Sequence, residues 1–329
     1  MTGVRSRGPM VLGLAASLCI LVLSQALEWL INREFRPDVE EWTWVSDVVV
    51  SAGLFVMTVL WIHLRQTRAA LSAMERERVV IDTQLSIAAQ VQRALLPAIP
   101  PPSGCIEWFG VTEPAGKVGG DYFDFLPLSG GRMCVVLADV SGKGIAAAIF
   151  LSNVRAVLHT LIRETTEPSL LAERLSEALA QDANGGMYVS AVIAVVDPAA
   201  HQMTYTNTGH PAGLLLRKGE PARTLTRGGP PAGLMRGTTY EEETVSLAPG
   251  DLVVIVSDGI TESLDASGLA LAAILPAVFE GLSEVSPAIA CHRLLRAAEH
   301  GAGPAGVPDW ADDKTVVAFG GRLASGGLG

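Results

Sequence analysis

The stretch MCVVLADVSGKG, residues 133–144, joins an apolar run to a glycine-containing turn through one carboxylate, Asp139. Short runs of β-branched and aliphatic residues are typical of buried strands. Gly142 and Gly144 supply the backbone freedom that a tight turn after Asp139 requires. The stretch therefore predicts a core strand that ends by presenting an acidic side chain to a loop.

The same arrangement recurs elsewhere in the chain. Asp258 ends the apolar run DLVVIVSD, Asp312 and Asp313 precede the run TVVAF, and Asp121 follows two glycines in KVGGDYFDF. Any one of these residues could be a turn or a helix cap, but four such contexts favour carboxylates that meet at one rim. Carboxylates held close together repel one another unless cations lie between them. Oxygen ligands suit Mg²⁺ or Mn²⁺, so the pattern predicts a metal site.

The rest of the C-terminal region alternates strand-like and helix-like segments. Hairpin-like spacing around 197–201 and 207–211 favours antiparallel pairing, so we predict an α+β fold with helices over an antiparallel β-sandwich rather than a doubly wound parallel sheet. The predicted strands are 133–139, 188–197, 202–207, 212–217, 251–258 and 315–319. The predicted helices are 143–163, 168–181, 269–280 and 287–300.

The N-terminal region carries two apolar runs, Met10–Leu27 and Val48–Leu64, each close to the roughly 20 residues that a bilayer span needs. Basic residues precede the first apolar run and follow the second, and the loop between the two runs is acidic. By the positive-inside rule, this pattern predicts a hairpin of two transmembrane helices, about 10–27 and 43–64, in the plasma (inner) membrane, with the N-terminus and the C-terminal domain in the cytoplasm. A cleaved signal peptide is the alternative for the first run.

A helix is predicted to connect the membrane region to the C-terminal domain. Residues 67–96 contain no Gly or Pro, and their apolar residues follow a heptad-like seam with polar interruptions at Arg78 and Gln92. The segment could pack on its own domain as one amphipathic helix, or form the stem of a parallel homodimer. Pro97 and the prolines at 100–102 end it.

Overall composition limits the classes of function. The net charge is −10 and the isoelectric point is about 5.1, which argues against a general nucleic-acid-binding protein. The four cysteines are scattered without CxxC spacing, so neither a zinc site nor a disulfide framework is indicated.

Five motifs, in this order, resemble those of PPM-type protein serine/threonine phosphatases, in the branch named for sporulation stage II protein E (the SpoIIE/RsbU-like branch). They are GGDYFDFLPL, LADVSGKGIAAAIFLSNVRAVL, YTNTGHPAGLLL, LAPGDLVVIVSDGITES and DDKTVVAF. The resemblance covers about residues 85–319. One departure is that Ser190 stands where threonine is common in the family.

The resemblance implies two divalent metal ions, Mn²⁺ or Mg²⁺, and no organic cofactor. By motif, Asp139 would bridge the metals beside the Val140 carbonyl, and Asp121 would bind one of them. Asp258 and Asp312 would bind the other, with Asp313 as the alternative to Asp312. Lys117 and Lys143 are candidates for contact with the substrate phosphate, and solvated lysines are the alternative. His210 is expected to support loop packing, and Asp124 is either a residue near the metals or a structural cap.

The resemblance also implies a phosphorylated protein substrate, namely a STAS-domain anti-sigma-factor antagonist in a sigma-factor partner-switching pathway. The predicted organisation is a membrane anchor (1–66), a linker helix (67–97), the phosphatase domain (98–321) and a flexible tail (322–329). The alternative is a catalytically inactive scaffold of the same fold. A GGDEF-type cyclase would leave SDG and DDKT unexplained, and a P-loop hydrolase lacks its GxxxxGK[ST] motif.

Overall fold

The computed structural model describes residues 18, 22–26, 29, 40–104, 106–182, 186–265, 271, 286–301 and 312–321. The chain divides into two compact units, residues 1–83 and 84–329. Most of the first predicted span, most of the predicted helix 269–280 and the predicted tail lie outside the described residues.

Helix α1 runs without interruption over Glu40–Leu95. The predicted second span and the predicted linker are therefore parts of one helix, whose described residues include 40–42 of the predicted loop. Gly53 is its only glycine, and the residues that join the two predicted segments are all compatible with a helix. Within Val48–Leu95, an 18-residue window has a mean hydropathy of 1.8 and only 6% of it is buried. Among the described helices it alone is long and apolar enough to cross a membrane, by length and composition.

The second unit is built on two antiparallel sheets. One sheet has the strand order β1–β11–β10–β6–β7, from Ile106–Glu113 (β1), Gly213–Leu216 (β6), Arg223–Leu225 (β7), Leu252–Val256 (β10) and Lys314–Gly321 (β11). The other has the order β2–β3–β4–β5–β8, from Asp121–Pro127 (β2), Met133–Val140 (β3), Val189–Asp197 (β4), Gln202–Thr208 (β5) and Gly228–Gly229 (β8). Strand β9, Glu243–Ser246, pairs with β5, and among the strand pairs of the described residues only the short β5–β8 pair is parallel.

The sheets pack face to face, with helices on both outer faces. The inter-sheet core contains Phe123 and Leu137 from one sheet, and Ile255 and Phe319 from the other. Helices α2 (Ile145–Leu161) and α3 (Pro168–Asp182) cover the outer face of the β2–β3–β4 sheet. Helices α4 (Asp258–Asp265) and α5 (Pro287–Gly301) cover the outer face of the other. The predicted antiparallel sandwich flanked by helices is confirmed.

The end of one predicted strand was wrong. Strand β10 ends at Val256, and Asp258 is the first residue of helix α4 rather than the last residue of a strand. Side chains in α4 and α5 pack together against this sheet. As the first residue of α4, Asp258 lies at the positive end of the helix dipole, where a carboxylate is favoured.

Candidate metal centre

Two of the predicted metal-binding carboxylates face each other across one strand pair. Asp121 begins β2 and Asp139 is the penultimate residue of β3, and their Cα atoms are direct partners in the antiparallel ladder. Because side chains alternate along a strand, they share the face of Phe123 and Leu137, which is the inter-sheet face. The pair therefore lies at one edge of the sandwich, between the sheets.

The other sheet contributes its acidic residues at the same edge. Strands β10 and β11 are antiparallel, so the end of β10, before Asp258, lies beside the start of β11, after Asp312 and Asp313. The Ser257 hydroxyl links the end of β10 to the start of β11: it donates to the Asp313 carbonyl at 3.0 Å and accepts from the Thr315 amide at 2.9 Å. Strand pairing within each sheet thus brings together carboxylates that are far apart in sequence.

Asp313 links the two sheets directly. One carboxylate oxygen accepts the Ala115 amide at 2.8 Å, and the other accepts the amides of Gly120 and, at 3.4 Å, Asp121. The side chain is buried. Asp313 therefore holds the backbone of the glycine turn that carries Asp121.

Asp312 has different surroundings. One oxygen accepts the Asp313 amide at 2.9 Å, and the other lies 3.0 Å from the Lys143 ammonium. Its side chain is 33% exposed, so it is accessible at the rim. The two alternatives for the DDKT ligand therefore differ in their contacts: Asp313 accepts hydrogen bonds from backbone amides, and Asp312 faces a cation.

The cluster is electrostatically unfavourable without a cation. Burial, and then the charge of Asp139, raises the pKa of Asp121 well above its usual range. Burial, followed by the charges of Asp258, Asp312 and Asp313, raises the pKa of Asp139 to about 7. Burial, and then the charge of Asp312, also raises the pKa of Asp258. Such mutual repulsion is what a bound cation would relieve.

The residues present fit divalent ions that prefer oxygen ligands. One oxygen of Asp121, Oδ2, is buried and has no hydrogen-bond partner among the described residues. The space that a Cβ atom at Gly120 would fill lies 3.1 Å from the Val140 carbonyl and 3.3 Å from Asp139 Oδ1, so glycine leaves room beside both oxygens. Within the described ranges, however, no three His, Cys, Asp or Glu side chains are close enough, as placed, to hold one ion. The types of donor atom suit Mg²⁺ or Mn²⁺, and holding an ion here would require these side chains to move closer together.

The two lysines that are candidates for contact with the substrate phosphate have different partners. Lys143 lies at the cluster, paired with Asp312. Lys117 donates instead to the Ser86 hydroxyl on α1 at 2.9 Å. Of the two residues, only Lys143 is brought beside the predicted ligands.

Asp124 lies on the other face of the same sheet. Its buried carboxylate accepts the Tyr122 hydroxyl and the Phe125 amide, and it lies 2.7 Å from His159 Nε2 of helix α2. Arg155 Nε is 3.8 Å away. This buried polar network anchors α2 to β2.

Sequence reasoning missed a contact between helix α1 and the glycine turn. The Gln92 side chain donates to the Gly119 carbonyl at 2.6 Å and accepts the Gly119 amide at 3.0 Å. Gln92 interrupts the apolar seam of α1, and that interruption was the available signal. A polar residue in an apolar stripe often has a specific partner, but the sequence does not say which one.

Comparisons with known proteins agree with this architecture. Residues 129–320 match the model of the family described as Stage II sporulation protein E (SpoIIE). The phosphoserine phosphatase RsbU of Bacillus subtilis (strain 168) is 28% identical over 189 residues, which are 57% of this chain and 56% of RsbU. The chain spans between 36% and 56% of the length of the curated relatives reported for it.

Two solved structures are similar over more than two thirds of the chain. The SiaA-PP2C domain of Pseudomonas aeruginosa has a TM-score of 0.60 at 20% identity, covering 75% of this chain and 99% of that domain. A structure of the PP2C phosphatase domain and a regulatory fragment of SpoIIE from Bacillus subtilis has a TM-score of 0.56 at 17% identity, covering 68% and 64%. These likenesses establish the PPM (PP2C) phosphatase fold.

The family match begins at residue 129 and covers more than half of the chain. It includes Asp139, Asp258, Asp312 and the His210 loop, whereas Asp121 precedes it. On this match, the protein belongs to the stage II sporulation protein E (SpoIIE) family.

Proposed function

We propose that the protein is a metal-dependent protein serine/threonine phosphatase. The observation that carries the proposal is the convergence of carboxylates from both sheets at one edge of the sandwich, where burial, and then the charges of neighbouring carboxylates, raise the pKa values of Asp121, Asp139 and Asp258. Membership of the SpoIIE family and the similarity to RsbU, which is named a phosphoserine phosphatase, support the same reaction.

The proposed ligands are the side chains of Asp121, Asp139, Asp258 and Asp312, with the carbonyl of Val140. Two divalent ions held there would lower the pKa of a water molecule and neutralise charge on the phosphoryl group. The glycine turn and Asp313 would orient Asp121. Lys143, beside Asp312, has the charge and position to contact a phosphate oxygen. A solved structure of the relative RsbX contains magnesium, which supports Mg²⁺ as one candidate beside Mn²⁺.

The proposed substrate is a phosphoserine on a STAS-domain anti-sigma-factor antagonist. This part of the proposal rests on the relatives: RsbU is named a phosphoserine phosphatase, and one matched structure joins an RsbU domain to an RsbW domain in a single chain. Comparing the phosphoproteome of cells with and without the gene would identify the protein that accumulates in its phosphorylated form. Accumulation only of proteins without a STAS domain would contradict this assignment.

We further propose a membrane anchor over residues 1–66 with two spans, a linker over 67–97, which could also mediate a homodimer, and a phosphatase domain over 98–321. The apolar window of α1 and the basic residues that follow it support one span with the phosphatase domain in the cytoplasm. Fractionation of the full chain, with reporter fusions at residue 35 and at the C-terminus, tests this topology. Periplasmic activity at residue 35 and cytoplasmic activity at the C-terminus are expected. Release of the chain into the soluble fraction would overturn the anchor.

The catalytic proposal is tested with the detergent-solubilised full chain. We expect Mn²⁺-dependent release of phosphate from a phosphoserine protein, and loss of this activity in Asp139→Asn and Asp258→Asn. Lys218→Gln, a substitution far from the cluster in sequence, is the control and should retain activity. Absence of activity in the wild-type chain with either metal would favour the scaffold alternative, and activity that survives in Asp139→Asn would exclude the ligand assignment.

A further inference from the structure

The imidazole of His210 lies between the two sheets, close to the candidate metal centre. The residue is 6% exposed. Its Nδ1 atom is 2.9 Å from the Ser190 hydroxyl oxygen, and its Nε2 atom is 3.1 Å from the Val256 carbonyl oxygen. Ser190 belongs to β4 in one sheet, and Val256 to β10 in the other. A single side chain therefore bridges both layers of the sandwich.

The partners determine which nitrogen carries the proton. A carbonyl can only accept a hydrogen bond, so Nε2 is protonated and donates to Val256. Burial lowers the pKa of His210 to about 3, so the ring is neutral and Nδ1 accepts from the Ser190 hydroxyl. Both ring nitrogens are thus engaged within the protein. This leaves neither nitrogen for a metal ion or for protonation of a leaving group.

The two ends of the bridge adjoin proposed ligands from opposite sides of the site. Ser190 is the direct ladder partner of Asp139 between β3 and β4. Val256 is the last residue of β10 and stands two residues before Asp258. The backbone of His210 is itself held by Asn207, whose side chain accepts the His210 amide at 2.7 Å and donates to the His210 carbonyl at 3.0 Å. The bridge is therefore anchored at both ends and in the middle.

We propose that Ser190 and His210 form a positioning pair that sets the separation between Asp139 and Asp258, and so the spacing of the two sides of the metal site. This inference rests on the proposed function. Groups that orient metal ligands without touching the metal commonly change metal affinity by about 10–100-fold when they are removed. Within a sandwich, whose sheets touch mainly through apolar side chains, a directional hydrogen bond is well suited to fix such a spacing.

Substitutions of Ser190 by threonine and by valine test the pair, because these two side chains have nearly the same shape. Threonine keeps the hydroxyl, whereas valine replaces it with a methyl group of similar size. In the full chain, measured by calorimetry with Mn²⁺ alone, Ser190→Thr should bind within about twofold of wild type, and Ser190→Val about tenfold more weakly. Ser190→Ala removes the same hydroxyl without added bulk and should weaken binding like Ser190→Val, which guards against misfolding caused by the valine.

A second comparison separates positioning from general stability. If the two residues act as one unit, the double variant Ser190→Val/His210→Gln should bind Mn²⁺ no more weakly than His210→Gln alone. The melting temperature of each metal-free variant is the control, since a purely structural role would lower it without a selective loss of Mn²⁺ affinity. Equal affinity in Ser190→Thr, Ser190→Val and Ser190→Ala would overturn the proposal. So would full additivity in the double variant.

Failure of this inference can be distinguished from failure of the proposed function. Weaker Mn²⁺ binding by Ser190→Val, in a chain that releases no phosphate from any phosphoprotein, would support the positioning pair and reject the phosphatase. An active wild-type enzyme whose Ser190 variants all bind Mn²⁺ alike would do the reverse. A wild-type chain that binds neither Mn²⁺ nor Mg²⁺ would reject both.

Discussion

Asp121 and Asp139 lie directly opposite each other on neighbouring antiparallel strands, and both face the interior of the sandwich. Like charges in this position are destabilising. The pKa of each carboxyl is raised, by burial first and then by neighbouring carboxylates. Such a pair lowers the stability of the folded state without metal. A bound cation would relieve this repulsion, which explains why the pair is present.

The first prediction concerns the pH dependence of stability without metal. The pKa of Asp139 is about 7 in the folded chain and about 4 when unfolded, so the folded state binds more protons between these values. Its contribution to stability is present below about pH 4 and is lost as the pH rises through 7. We expect the metal-free chain to melt at a lower temperature at pH 7.5 than at pH 5.5, by several degrees more than Asp139→Asn does. An equal pH dependence in both proteins would contradict the assignment.

The affinity for Mn²⁺ should have the opposite pH dependence to the metal-free melting temperature. Metal ligands must be deprotonated, so the affinity for Mn²⁺ should rise with pH up to about 7 and then level off. Calorimetric titrations at four pH values between 5.5 and 8, under one ionic strength, measure this directly. An affinity that does not change over this range would indicate that Asp139 is not a ligand.

The second prediction separates Asp312 from Asp313. Asp312→Asn removes one like charge from the rim, so it should weaken Mn²⁺ binding and leave the metal-free melting temperature unchanged or raised. Asp313→Ala leaves the buried amide of Gly120 without an acceptor, at a cost of about 1–3 kcal/mol, and also removes the acceptor of the Ala115 amide at an exposed position. It should lower the melting temperature markedly before any metal is added.

Calorimetry with Mn²⁺ and thermal melting of both variants decide between these roles. The opposite result, normal stability with lost metal binding in Asp313→Ala, would make Asp313 the ligand and Asp312 its neighbour.

The third prediction concerns the glycine turn. A Cβ atom at Gly119 would lie 2.5 Å from an oxygen of the Asp313 carboxylate, so Gly119→Ala must displace that side chain. We expect loss of phosphatase activity and a lower melting temperature. Gly116→Ala is the matched control, because its Cβ would make only an ordinary contact, at 3.6 Å, with the Val118 carbonyl. Similar behaviour of the two variants would show that the close approach to Asp313 is unimportant.

The fourth prediction concerns Gln92 on helix α1. Gln92→Ala removes both hydrogen bonds to Gly119, each worth about 1 kcal/mol, so the turn that carries Asp121 should open more often. Faster amide exchange at residues 119–121, measured by mass spectrometry, is the expected result. Gln90→Ala, at an exposed position on the same helix, should leave the exchange unchanged. Unchanged exchange in both variants would mean that Gln92 does not hold the turn.

Much of the second unit followed from local patterns. The apolar runs that predicted β3, β4, β5 and β11 are strands, and the helices predicted at 143–163, 168–181 and 287–300 are present within two residues at each end. Periodicity is a local property, so it survives in a single sequence. The end of β10 could not be predicted in the same way, because Ser257 and Asp258 follow the apolar run directly, with no glycine or proline to separate the strand from the first turn of α4.

The roles of the two aspartates in DDKT show where local information ends. The sequence places Asp312 and Asp313 side by side in the same context. Only the packing of the two sheets turns Asp313 towards the amide of Gly120, which is 193 residues away along the chain, and leaves Asp312 beside Lys143. The contacts of Gln92 and of the His210 ring depend in the same way on segments that meet only after folding.

The amino-acid sequence by itself determined part of the strands and helices, the candidate acidic residues and the family resemblance, since these are carried by residue type and spacing along the chain. Strands β1, β2, β7, β8 and β9 and helix α4 were not predicted. The tertiary structure decided that Asp121 and Asp139 oppose each other. It also decided that Asp313 accepts hydrogen bonds from backbone amides and that the His210 side chain bridges the sheets. The physical reason is that charge repulsion, burial and hydrogen-bond partners depend on distances in space, and strand register sets those distances.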